Sequence, residues 1–119
     1  MCLRRLHRHP LSSAGYFYIT DSASAILSVL ASGESANAYN IANSNAKTTI
    51  AGYAQTVAKL TGTKVIFADP DAVAKAEQTP IEKQVLSSKK LEGLGWVGRY
   101  TVEEGIARTL QIMRELEGQ

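Results

Sequence analysis

The stretch from Gly15 to Asn45, GYFYITDSASAILSVLASGESANAYNIANSN, constrains this chain more than any other, because it reads as strand, helix, strand. Tyr16 to Ile19 is aromatic and β-branched, which suits a pleated, half-buried surface. Asp21 then offers a carboxylate to the backbone N–H groups that a helix leaves unpaired in its first turn, so it reads as a cap. Ala23, Ile26, Leu27 and Leu30 share one helical face, with Ser24, Ser28 and Ser32 on another. Gly33 closes that helix, a place where a left-handed residue is usual. Asn37 to Ala42 reads as a second strand, led by Ala38, Tyr39 and Ile41. Two strands joined by a helix are the unit of an α/β layer.

Size and composition then narrow the class. The chain has 119 residues, enough for one small domain. It is 45% apolar and 20% charged, ordinary for a globular fold. No apolar run approaches the ~20 residues of a membrane span. Cys2 is the only cysteine, so no internal disulfide can form and the cytoplasm is the expected location.

The net charge of +2 belongs to one end. Without Arg4, Arg5 and Arg8, ten basic and eleven acidic side chains remain. Residues 1–14, MCLRRLHRHPLSSA, have no helical or strand period and read as a disordered or foreign leader. They lack the apolar core of a targeting peptide. Their Arg and His side chains could touch phosphates, and His7 and His9 alone make a poor metal site.

Further along, Thr48 or Thr49 caps a helix running to Thr61, with Ile50, Tyr53, Ala54, Val57 and Leu60 as its apolar stripe and Gly62 as its end. Lys64 to Ala68 reads as a short strand, Asp69-Pro70-Asp71 as a turn, and Asp71 to Glu77 as a helix broken by Thr79-Pro80. Ile81 to Leu86 is extended. Ser87 or Ser88 caps a short helix carrying Leu91 and Leu94, which Gly95 ends. Thr101 and Glu104 fit a capping box for a last helix. Val102, Ile106, Leu110 and Met113 form its buried face, and Glu104 can pair with Arg108.

The sequence shows no Gly-rich phosphate loop after a strand, no Cys/His cluster and no nucleophile elbow. Its histidines lie in the leader, and Asp69 and Asp71 suit a turn better than a catalytic pair. The residues alone therefore describe an α/β domain without an evident catalytic constellation.

Four stretches carry a resemblance: YFYITDSASAIL (16–27), AYNIANSNAKTTIAGYAQTVAKLTG (38–62), TPIEKQVLSSKKLEGLGW (79–96) and TVEEGIARTL (101–110). In this order they resemble the C-terminal part of NAD-dependent epimerase/dehydratases, the extended short-chain dehydrogenase/reductases that act on nucleotide sugars. The likeness runs over about residues 15–115. It implies a small mixed α/β lobe, residues 15–119, similar to the substrate domain of those enzymes. In the family, the N-terminal Rossmann half holds NAD and a Tyr-x-x-x-Lys pair. Here Tyr16, Tyr18, Tyr39, Tyr53 and Tyr100 have no Lys four residues on. The resemblance thus implies a lobe with no cofactor and no catalytic residue of its own, although NAD serves the complete enzyme.

Two departures bear on binding. Relatives carry an Arg seven residues before the Asp matched by Asp21; here that position is Ala14. A second substrate-side Arg falls at Lys83, which keeps the charge and loses the bidentate fork. The family Asp before the Ser-Lys helix is Ser87. Lys83 is therefore the candidate diphosphate contact. Tyr39 and Asn40 are candidates for facing the ligand, or else shape the sheet end. Trp96 reads as a core aromatic. The implied function is to hold a nucleotide sugar, weakly, beside a Rossmann half or a second copy, with no membrane partner. The alternative is a non-catalytic interaction module that reuses the fold; nucleic-acid binding through the leader ranks last.

Overall fold

A computed structural model describes residues 13–67 and 83–118. The fold is a small mixed assembly of helices and short strands, as the sequence leads one to expect. Strand β1 (Ser13–Gly15) is the centre of a three-stranded sheet. On one side it pairs antiparallel with β2 (Lys47–Thr49), Ser13 against Thr49 and Gly15 against Lys47. On the other it pairs parallel with β3 (Lys83–Gln84), Ser13 against Lys83. β1 thus takes in Ser13 and Ala14, the last two residues of the stretch read as a leader. The rest of that stretch, the turn at Asp69-Pro70-Asp71, the helix to Glu77 and the break at Thr79-Pro80 lie outside the described residues.

The strand expected at Tyr16–Ile19 is displaced upstream. Tyr16 extends the ladder by one bond, its N–H donating to the Ala46 carbonyl at 2.9 Å. Tyr18 is extended and already serves as N-cap of helix α1 (Ile19–Ser32). Pairing with β2 and β3, rather than the aromatic character of the YFYI run, sets where the strand lies. The helix start moves accordingly: Asp21 is not the cap but a residue of the first turn. Gly33 does follow the helix, but at φ −71° rather than in a left-handed conformation. What needs glycine there is close approach, since a Cβ would come 2.5 Å from the Val29 carbonyl oxygen.

The buried face of α1 also differs from expectation. Asp21 and Ala25 are inside, and Val29 packs on the core formed by Ala25, Leu91 and Trp96. Ile26, Leu27 and Leu30 are exposed. Spacing alone favoured the larger stripe. The observed contact is made through small Ala25, and through Ser24, whose Oγ accepts the Trp96 indole N–H at 3.0 Å.

Asn37–Ala42 has no ladder partner among the described residues and is irregular rather than a strand. Residues 63–66 are irregular too, with a lone bridge at Phe67; Ala68 lies outside the described residues.

Helix α2 (Ile50–Thr61) matches its signals closely. The Thr49 hydroxyl oxygen accepts from Gly52 N–H at 2.9 Å, and Gly62 ends the helix at φ +68°. Helix α3 (Lys89–Glu92) follows Ser88, whose hydroxyl donates to Glu92 Oε1 at 2.6 Å instead of capping the backbone. Neither Ser87 nor Ser88 is a side-chain cap. Helix α4 (Val102–Glu117) begins with the capping box: Glu104 N–H donates to Thr101 Oγ1 and Thr101 N–H to Glu104 Oε2 at 2.8 Å. That use of Glu104 replaces the expected pairing with Arg108. On this helix Ile106 is buried, Val102 and Leu110 are half-buried and Met113 is exposed. α4 packs on α2, where exposed Lys59 reaches Glu103 at 3.1 Å, a pair that contributes little at such exposure.

Candidate functional site

Asp21 anchors the polar centre of the molecule. Its carboxylate is 2% exposed and accepts Arg99 N–H at 3.1 and 3.2 Å and Tyr100 N–H at 3.1 Å. Asn43 completes the node. Its Nδ2 donates to the Tyr100 carbonyl at 2.8 Å and faces Asp21 Oδ2 at 3.4 Å, while its Oδ1 accepts from Asn45 N–H at 2.9 Å. Gly98 closes over it: a Cβ there would come 2.4 Å from Asn43 Cγ. The buried carboxylate takes its hydrogen bonds from protein donors, so this node holds the 98–100 segment. Sequence reading had identified the acceptor but not these donors. Among the described residues, no buried side-chain nitrogen or oxygen lacks a partner.

Two of the sequence candidates, Tyr39 and Asn40, follow the other end of α1. Tyr39 is half-buried against the core, its hydroxyl accepting from Glu34 N–H at 3.0 Å. Lys90 Nζ stands 4.9 Å over the Tyr39 ring and also bonds Asn37 Oδ1; a cation on a ring face is attracted by its quadrupole. Asn40 is exposed, and its Nδ2 donates to the Ser87 carbonyl at 3.5 Å. The 34–40 loop is thereby fastened to 87–90, which follows β3 directly. Within the sheet, position 83 is register partner of position 13, beside Ala14. The structure thus puts the two cation positions of the resemblance on adjacent strands, and fastens Asn40 to the segment that β3 leads into. The Lys83 side chain lies outside the described residues. Lys90 was not singled out in the sequence; the KK pair after SS was the available signal.

A concavity is lined by Tyr18, Tyr53, Thr101, Val102, Gly105 and Ile106, among others. Tyr16 stacks on Tyr53 with centroids 4.9 Å apart, and Tyr18 meets Tyr100 at 4.8 Å. These contacts fix the entry into α1 against α2 and α4.

Catalytic pairing is not visible among the described residues. Glu104 has its pKa lowered by the Thr101 backbone and side-chain hydrogen bonds, which is capping rather than chemistry. The turn from β1 to α1, Tyr16-Phe17-Tyr18, carries none of the glycines that a pyrophosphate needs where a strand turns into a helix. No described helix is long and apolar enough to cross a membrane.

Comparison with known proteins finds one sequence relative and two solved structures of similar fold. No family model matches the chain. It is 32% identical over 109 residues to the trifunctional UDP-glucose 4,6-dehydratase/UDP-4-keto-6-deoxy-D-glucose 3,5-epimerase/UDP-4-keto-L-rhamnose-reductase RHM3 of Arabidopsis thaliana, covering 89% of this chain and 16% of that protein. In fold it resembles dTDP-glucose 4,6-dehydratase of Bacillus anthracis in complex with NAD, with TM-score 0.74, 22% identity, and coverage of 92% of this chain and 33% of that one. It also resembles the Bordetella bronchiseptica enzyme WbmF in complex with NAD+ and UDP, with TM-score 0.70, 19% identity, and coverage of 92% and 31%. The chain therefore spans about a third of these solved chains and 16% of the curated relative.

Proposed function

The chain is related to the NAD-dependent epimerase/dehydratase family, matching a stretch consistent with a C-terminal part of its members, and we propose that it is a nucleotide-sugar-binding lobe, catalytically incomplete as this chain. The observation that carries the reading is the 32% identity over 109 residues to an enzyme named for UDP-sugar dehydration and epimerisation. In this reading Lys83 meets the diphosphate as a point charge. Tyr39 and Asn40, braced by Glu34, Lys90 and Ser87, shape the rim beside it. Nicotinamide chemistry and the proton-transferring Tyr belong to a part of the enzyme that this chain does not match. A cytoplasmic location goes with this proposal.

The test is an NMR titration of the chain with UDP-glucose and dTDP-glucose. Shifts concentrated at residues 39–40 and 83–90 support the proposal. Shifts absent at saturating ligand, or confined to the Tyr18–Tyr53 concavity, contradict it.

A further inference from the structure

Helix α1 is apolar on two sides. Inward, Ala25 and Val29 meet Leu91 and Trp96 of the core. Outward, Ala23, Ile26, Leu27 and Leu30 form a second stripe, and its three large residues are 52, 65 and 77% exposed. Ile19, one turn earlier, is 74% exposed. Asp21, the only charged residue of the helix, is turned inside, so no charge stands on the exposed surface. The other described helices all show exposed charge: Lys59 on α2, Lys89 and Glu92 on α3, Glu103 and Arg108 on α4. A helix that is apolar all round is one that lies buried in a larger core.

Two observations bear on what covers the outer stripe. Positions 23, 26, 27 and 30 give the wide stripe with which a helix lies on a broad core, broader than the seam that pairs one helix with another. In addition, 92% of this chain superposes on only 33% of a single solved chain of similar fold, so in that fold the remaining two thirds must pack against some face of this third. We propose that the outer face of α1 is the docking surface for those two thirds of an epimerase/dehydratase chain. The surface that meets Ala23, Ile26, Leu27 and Leu30 is apolar and uncharged, because an unpaired charge buried against them would be costly. Both faces of α1 are then core faces, which is why spacing picks out a stripe that the chain's own core does not use. The proposal rests on the fold relationship and not on the nucleotide-sugar reading, which ligand titration tests separately.

The test co-expresses the full chain with a tagged dTDP-glucose 4,6-dehydratase of Bacillus anthracis from which the third matched by this chain has been removed. The wild-type chain should co-purify with it as a stoichiometric complex. Ile26→Lys/Leu30→Lys buries two unpaired charges in the contact and should lower the retained chain at least about tenfold. Both positions are exposed, so circular dichroism of the variant alone should be unchanged. Leu27→Glu is a second, single change with the same expected loss, and it decides the matter if the double variant loses its helical spectrum. Met113→Lys/Leu116→Lys, at exposed positions of α4, should be retained as the wild type is. A wild-type chain that is not retained overturns the proposal, and sedimentation velocity then shows whether a second copy takes the face instead. Folded α1 variants retained as well as the wild type, or an equal loss from the α4 variant, overturn it too.

Discussion

The Asp21 carboxylate accepts the Tyr100 N–H at 3.1 Å across 79 positions of sequence. With the two bonds from Arg99 N–H, this ties the first turn of α1 to the segment that leads into α4. Backbone donors buried without an acceptor are costly, so this long-range tie holds two ends of the fold in register.

Asp21→Ala is expected to destabilise the chain by about 3 kcal/mol, because two backbone donors lose their only acceptor. Asp21→Asn should cost less, since one amide oxygen still accepts. Urea denaturation midpoints give both values. A loss of ~1 kcal/mol or less for Asp21→Ala is what a mere helix cap produces, and would contradict the geometry.

Gly98→Ala should also be costly. The added Cβ would stand 2.4 Å from Asn43 Cγ, so Asn43 must move off Tyr100 and Asn45. Overpacking of this kind costs about 1–3 kcal/mol. Thermal melting checks it, and combining Gly98→Ala with Asn43→Ala should cost less than the sum of the two, since the clash and the lost bonds share a partner.

Much of the helical framework was legible from local chemistry. Thr49, Gly62, Thr101 and Glu104 act within a few residues of themselves, and their capping roles came out as read. Asp21 was recognisable as an acceptor of backbone N–H groups, but its backbone donors are 78 and 79 positions away and leave no local mark. The face of α1 was misread because counting apolar side chains favours Ile26, Leu27 and Leu30. The core instead selects Asp21, Ala25 and Val29, where a small residue and a polar tie allow close packing. The strand was misplaced because YFYI is a better β sequence than SAG, yet β2 and β3 supply partners only to the latter. At the candidate site, Tyr39 and Asn40 could be named, but their links to Ser87 and Lys90 could not: Asn40 and Ser87 lie 47 positions apart, and Asn37 and Lys90 lie 53 apart.

The capping box predicts a pH dependence. Hydrogen bonds from the Thr101 backbone and side chain lower the pKa of Glu104 in the fold. A lowered carboxylate stabilises the fold fully above its ordinary range, and that contribution is lost as pH falls through the depressed value. Glu104→Gln keeps a capping partner without the charge. The melting-temperature gap between wild type and Glu104→Gln should therefore be present at neutral pH and close on acidification. A gap that is constant with pH, or that widens, would show that ionised Glu104 is not the stabilising form.

Incubated with NAD and a panel of UDP- and dTDP-sugars, the purified chain should show neither reduced nicotinamide nor altered sugar. The motive is the aromatic turn at Tyr16–Tyr18 where a dinucleotide would need glycine, and the absence of any Tyr with Lys four residues on. Turnover that survives repurification would place catalytic machinery in this chain.

The most direct test of the nucleotide-sugar reading is calorimetric titration of wild type and Lys83→Ala with UDP-glucose and dTDP-glucose. One of the two cation positions is Ala14, and a lost charge-assisted bond of roughly 1.5–3 kcal/mol weakens binding by one to two decades. Much of the cleft that would bury the ligand is also unmatched by this chain. The wild type should bind near ~1 mM, and Lys83→Ala should bind at least about tenfold more weakly. Low-micromolar binding by both proteins alike would contradict the assigned pocket and the role of Lys83 together.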